Sequence, residues 1–71
     1  MTDLIYDVTE ATFQAEVLER SKSVPVLVDF WAEWCGPCHA LAPLLERAVE
    51  RHDGEVVLAR VAVDQNQRLA M

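Results

Sequence analysis

Seventy-one residues with 52% hydrophobic content make at most one small domain, close to the lower limit for a self-sufficient core, and argue for packing rather than disorder. A formal net charge of −6 argues against nucleic acid and anionic membrane as partners, and no apolar window approaches a membrane-spanning length. The acidic start, Met1 to Asp7, has no export-signal pattern, and both cysteines fall in one short motif. Together these point to a reducing compartment, by default the cytoplasm, and to a working rather than a structural disulfide.

In chain order, Leu4-Ile5-Tyr6-Asp7-Val8 reads as a short strand, with Leu4, Tyr6 and Val8 on one face. Thr9 is placed to cap a helix whose first turn suits Glu10 and whose apolar stripe is Phe13, Val17 and Leu18. Glu16, Glu19 and Arg20 are expected in water, and Ser21-Lys22-Ser23 is a polar linker. Val24 to Trp31 is apolar on both faces, the pattern of a central strand covered by helices, with Pro25 at its start where a ladder can spare an N–H. Asp29 interrupts that run, sharing its face with Leu27 and Trp31. A carboxylate headed for the interior near two thiols is a candidate proton acceptor.

The strand leads directly into Trp31-Ala32-Glu33-Trp34-Cys35-Gly36-Pro37-Cys38, and a helical pattern leads out of it to about His52. Two thiols with two residues between them at a strand-to-helix junction read as a redox pair. The first helical turn offers unpaired N–H groups and the positive end of the dipole, which favour a thiolate at Cys35. Cys38, deeper in the turn, is placed to resolve the mixed disulfide that Cys35 would form. Gly36 is expected to permit the close approach, and Pro37 presets a helical φ. Along the helix, Leu41, Leu45 and Val49 are expected to share the face of Cys38, with Glu46, Arg47, Glu50 and Arg51 outside. Pro43 should kink it, and Asp53-Gly54 should end it through a left-handed cap. His39 reads as an exposed helical histidine that could also tune the thiols by charge.

Glu55 to Val63 is a second buried strand with one charge, Arg60, which is either a partner for Asp29 across the sheet or a side chain that snorkels to the surface. Asp64-Gln65-Asn66 reads as turn and cap, and Gln67 to Met71 as an opening helical turn. Strand, helix, strand, helix, strand gives parallel βαβ units with right-handed crossovers. Other chemistries fit less well. Cys35-Gly36-Pro37-Cys38-His39 matches a haem-attachment pattern, but that leaves the apolar strand and Asp29 unexplained and usually follows export. For zinc the further ligands would be His39 and His52, and His52 lies about 20 Å along the helix from Cys38. No cofactor and no metal are expected.

The segment Val28-Asp29-Phe30-Trp31-Ala32-Glu33-Trp34-Cys35-Gly36-Pro37-Cys38 resembles the active-site segment of thioredoxins, and the similarity runs through Ala42-Pro43 and Val63-Asp64-Gln65-Asn66. The resemblance implies an α/β, thioredoxin-like fold, here as a partial β-α-β-α-β unit with a parallel three-stranded sheet. That unit would lack the family's cis-proline loop, C-terminal hairpin and last helix, and would leave an unpaired edge on the strand ending at Trp31. The chain is therefore expected to be poorly stable alone or to dimerise through that edge. The resemblance also implies a protein-disulfide oxidoreductase and electron carrier, with protein disulfides as substrates and a thioredoxin reductase as partner. Cys35 would be the attacking cysteine and Cys38 the resolving one. Asp29 would be the assisting carboxylate, with Arg60 where a lysine is common. Trp31 and Trp34 would flank the site, and Pro43 would be the helix-kinking proline. His39 stands where lysine or arginine is common. Val17-Leu18-Glu19-Arg20-Ser21 and Val24-Pro25-Val26 are also similar to thioredoxin domains heading bacterial chaperone-like chains (chaperedoxins), which implies an alternative role in binding client proteins.

Overall fold

The computed structural model describes residues 4–71; the Met1–Asp3 start, read above for the absence of an export signal, lies outside them. Strand β1 (Ile5–Asp7) is followed by a wide-turned helical segment (Gln14–Glu19) and a tight turn (Arg20–Lys22). Strand β2 (Val26–Trp31), helix α1 (Gly36–Arg51) and strand β3 (Val57–Ala62) come next. A 3-10 turn (Val63–Gln65) and the short helix α2 (Gln67–Ala70) complete the described chain. This is the parallel βαβαβ arrangement expected from the sequence.

The strand order is β1-β3-β2, with both ladders parallel. β3 is therefore the central strand, which corrects the reading of Val24–Trp31 as central from its apolar faces, while β2 has the unpaired edge that the resemblance implied, among the described residues. Val57, Leu58, Ala59 and Val61 are buried, whereas β2, paired on one side only among the described residues, leaves Leu27 and Phe30 about 40% exposed. Apolar runs on both faces mark a strand that helices cover, and they do not say whether a neighbour lies on each side.

Register assigns the two faces of the sheet. Tyr6, Ala59 and Val28 stand level across the strands. Together with Val8, Val61 and Val26 they pack against Phe13 and Val17 of the first helical segment and Leu69 of α2. The opposite face carries Leu58, fully buried, then the level row Asp7, Arg60 and Asp29. Alternation along the strands points these side chains away from the first helical segment, towards α1, whose buried residue is Val49.

Several local expectations are altered. Thr9 does not cap with its own hydroxyl: its N–H donates to Thr12 Oγ1 at 3.0 Å, and Thr12 N–H donates to the Thr9 carbonyl at 3.1 Å. That closed turn delays the helical segment to Gln14 and turns Leu18 outward. Arg20 is only partly in water; its guanidinium lies 5.3 Å from the centre of the Tyr6 ring. Tyr6 Oη donates to the Glu16 carbonyl at 2.7 Å. In α1 the buried stripe is narrower than expected, since Leu41 is exposed while Val49 is sealed. The helix runs through Pro43, which cannot donate to the His39 carbonyl. It ends at a left-handed pair, Asp53 (φ 48°) and Gly54 (φ 90°).

Asn66, buried, ties the turn after β3 back to the start of the chain. Its Oδ1 accepts from Glu10 N–H at 2.9 Å, and its Nδ2 donates to the Ala62 carbonyl at 2.9 Å. The Glu10 carboxylate, expected in the first helical turn after Thr9, instead accepts from Arg68 N–H at the start of α2.

Candidate active site

β2 ends at Trp31 and α1 begins at Gly36, so four residues make the passage from strand to helix. Cys35 N–H donates to the Ala32 carbonyl at 3.1 Å, closing a turn with Glu33 and Trp34 at its centre. Cys35 is itself the N-cap of α1, in extended backbone conformation (φ −94°, ψ 97°). Its Sγ takes the place an oxygen holds in an ordinary cap, accepting from Cys38 N–H at 3.3 Å. Cys35 and Cys38 are joined as a disulfide, across a Cα–Cα distance of 5.3 Å. When that bond is reduced, a thiolate at Cys35 meets the Cys38 N–H and the positive end of a helix sixteen residues long. The Cys38 sulfur lies 4.0 Å from the Phe30 carbonyl, the nearest acceptor for its proton in the dithiol state.

Gly36 is the first residue of α1. A Cβ at this position would meet nothing within 4 Å, so the fold itself does not require glycine there.

Asp29 is 7% exposed and stands level with Arg60 across the β2–β3 ladder. Arg60 Nε is 3.6 Å from Asp29 Oδ2: an ion pair, but outside hydrogen-bonding range, and neither atom has a hydrogen-bond partner. The same guanidinium lies over Trp31, 5.0 Å from the ring centre, and the buried Trp31 Nε1 also lacks a partner. Arg60 is thus shared between a carboxylate and an indole that are neighbours on one face of β2.

Trp34 is the opposite case, 73% exposed. Its Nε1 donates to Asp64 Oδ2 in the turn after β3, at 2.8 Å. Asp64 also lines a cleft of about 270 Å³ together with Trp31, Ala32, Glu33, Ala62 and Gln65. A larger hollow of about 520 Å³ beside Leu4, Arg20 and Val57 opens at the N-terminal ends of the strands, away from the cysteines. Asp64 reads in the sequence only as a turn residue, and its place just after an apolar run gave no sign that an indole would reach it. His39 likewise turns back, its Nε2 lying 2.9 Å from the Glu33 carbonyl.

A disulfide capping the helix that follows a parallel strand, with a buried carboxylate on that strand, defines a thiol–disulfide site on an α/β scaffold. The Thioredoxin family model matches residues 4–71, and the chain belongs to the thioredoxin family. It is 49% identical over 70 residues to a thioredoxin of Streptomyces clavuligerus, covering 99% of this chain and 63% of that one. It is 48% identical over 63 residues to thioredoxin 1 of Synechococcus elongatus (89% and 57% covered). It is 42% identical over 65 residues to a thioredoxin of Chlorobaculum thiosulfatiphilum (92% and 58% covered). The chain therefore spans between 57% and 63% of the length of these relatives.

Proposed function

We propose that the chain carries the working dithiol of a protein-disulfide oxidoreductase, with Cys35-Gly36-Pro37-Cys38 as the electron-carrying group. The observation that carries this reading is the cap itself: a sulfur where a helix N-terminus wants an anion, bonded to a second sulfur one turn on. The Cys35 thiolate attacks one sulfur of a substrate disulfide, forming a mixed disulfide and releasing the other substrate sulfur as a thiolate. Cys38 then loses its proton and attacks Cys35 Sγ. The Cys35–Cys38 disulfide forms, the second substrate sulfur leaves, and two electrons have passed to the substrate.

In this reading Asp29 takes the Cys38 proton, supported by its burial next to Phe30, whose carbonyl is the acceptor nearest that sulfur. Arg60 is its charge partner and holds Trp31, while Gly36 leaves the disulfide open to a substrate backbone. Pro37 and Pro43 shape the helix around the pair. Protein disulfides are the substrates and a reductase of the family's kind returns the electrons, as expected of an electron carrier in the cytoplasm. Among the described residues no helix is long and apolar enough to cross a membrane. Pairing of two copies through β2 is consistent with its one-sided ladder and with Leu27 and Phe30 in contact with solvent. The client-binding alternative draws nothing from these relatives, each named thioredoxin.

The test is tryptophan emission across thiol/disulfide buffers, with Cys35→Ser and Asp29→Asn beside the native chain. A single two-electron transition, abolished in Cys35→Ser, supports the reading. Asp29→Asn should let the Cys35 mixed disulfide with glutathione accumulate, slowing its resolution at least about tenfold at pH 7. A transition like that of a flexible dithiol peptide, or none, defeats the proposal.

A further inference from the structure

Both central residues of the Ala32–Cys35 turn are held from outside it. Trp34 is held through its indole by Asp64. Glu33 is held through its carbonyl by His39, which reaches back from α1 at 2.9 Å. A carbonyl only accepts, so the hydrogen in that contact must sit on His39 Nε2. The held peptide lies two residues before the nucleophile. The same turn sets the backbone of Cys35, and with it the line from Cys38 N–H to Cys35 Sγ.

We propose that His39 is a positioning residue for thiol–disulfide exchange: by donating Nε2–H to the Glu33 carbonyl it fixes the turn that presents Cys35 as the cap of α1. This rests on the thiol–disulfide reading above and adds the residue that holds the nucleophile's approach. The contribution is geometric, and the imidazole charge is separable from it, because protonation at Nδ1 leaves the Nε2 donor in place. Glu33 on the turn, Asp64 beyond Trp34, and Glu46, Arg47, Glu50 and Arg51 further down α1 give the surroundings both signs of charge, and the contact itself needs only a donor. A neutral donor of the right reach should therefore do the same work as the ring. Glutamine places its amide nitrogen where Nε2 stands; asparagine is shorter and cannot span the gap.

The experiment alkylates the reduced protein with iodoacetamide from about pH 5 to pH 10, comparing His39→Gln with His39→Asn, both uncharged at that position. Modification at Cys35 is read by mass spectrometry. At pH 8, His39→Gln should match the native rate within about twofold. His39→Asn should show a thiol that ionises at higher pH, with a rate near pH 6 about fivefold below that of His39→Gln, the worth of one ordinary hydrogen bond. Nitrogen-15 NMR of the native protein at pH 8 should find the hydrogen on Nε2. Identical profiles for the two variants, or a hydrogen on Nδ1, would overturn the proposal. Alkylation reads how Cys35 is presented whether or not the protein reduces disulfides. Failure of the redox reading would instead appear as a native chain that alkylates normally but shows no two-electron transition.

Discussion

Asp29 and Arg60 face each other across the β2–β3 ladder at 3.6 Å, close enough to be an ion pair and too far to share a hydrogen bond. Each is therefore held by charge more than by geometry. Removing one partner strands the other, so Arg60→Met should destabilise the fold by about 3 kcal/mol, the lower end for a broken buried pair, because the guanidinium is partly exposed. Asp29→Asn in the Arg60→Met background should recover about half of that loss. Urea unfolding of the four proteins checks this; strictly additive effects would mean the two groups do not interact.

Tyr6 supplies a pH dependence with a definite sign. Burial raises its pKa above the ordinary value near 10, as does the nearby Glu16, while the Arg20 guanidinium lowers it, the burial effect being the largest. A phenol whose pKa is higher folded than unfolded holds its proton better in the native state. The stability it contributes is thus complete below about pH 10 and is lost as pH rises through the raised value. Tyr6→Phe should flatten this alkaline decline. Below it, the substitution should cost about 1 kcal/mol for the lost hydrogen bond to the Glu16 carbonyl.

Asn66 joins three parts of the chain with one buried amide. Asn66→Ala should cost about 2 kcal/mol, since it removes the partners of Glu10 N–H and the Ala62 carbonyl together. Asn66→Asp keeps the acceptor for Glu10 but places a second acceptor against the Ala62 carbonyl, so it should rescue little. The midpoint of urea unfolding should move in both variants with its slope unchanged.

Gly36 separates folding from exchange. With open space where a Cβ would go, Gly36→Ala should leave stability within about 0.5 kcal/mol of the native value, alanine being the better helix former. Reduction of a small disulfide should proceed at nearly the native rate, while reduction of a folded protein disulfide should slow several-fold. Equal slowing of both substrates would place the role of this glycine inside the protein.

The apolar runs at Val24–Trp31 and Glu55–Val63, the cysteine pair between strand and helix, and the glycine after Asp53 were legible because each is a local pattern with a local cause. The charges at Asp29 and Arg60 stood out because they interrupt apolar runs. Strand order was not legible in the residue pattern, since β2 and β3 carry the same kind of run and a lateral neighbour leaves no mark on alternation; the unpaired edge of β2 came from the family resemblance alone. Leu18 and Leu41 were misplaced because helical spacing shows only which residues share a face. The contacts of Arg20 with Tyr6, Trp34 with Asp64 and His39 with Glu33 depend on how long side chains turn once the backbone is set. Thr9 was read as a cap from its type alone, and the second threonine at Thr12 diverted it.

The position of β3 also constrains the order of events as the chain is made. β1 and β2 each hydrogen-bond to β3 and not to each other: Ile5 waits for Leu58, and Val26 for Val57. Every rung among the described residues therefore joins residues distant in sequence, and none of these can form until β3 has been synthesised. Until then the emerging chain carries Val26 to Trp31 as an unpaired apolar ribbon, while its cysteines are already translated. A nascent chain halted before Val57 would present a reactive thiol pair without the sheet that positions it, and so depends on its surroundings to keep those thiols reduced.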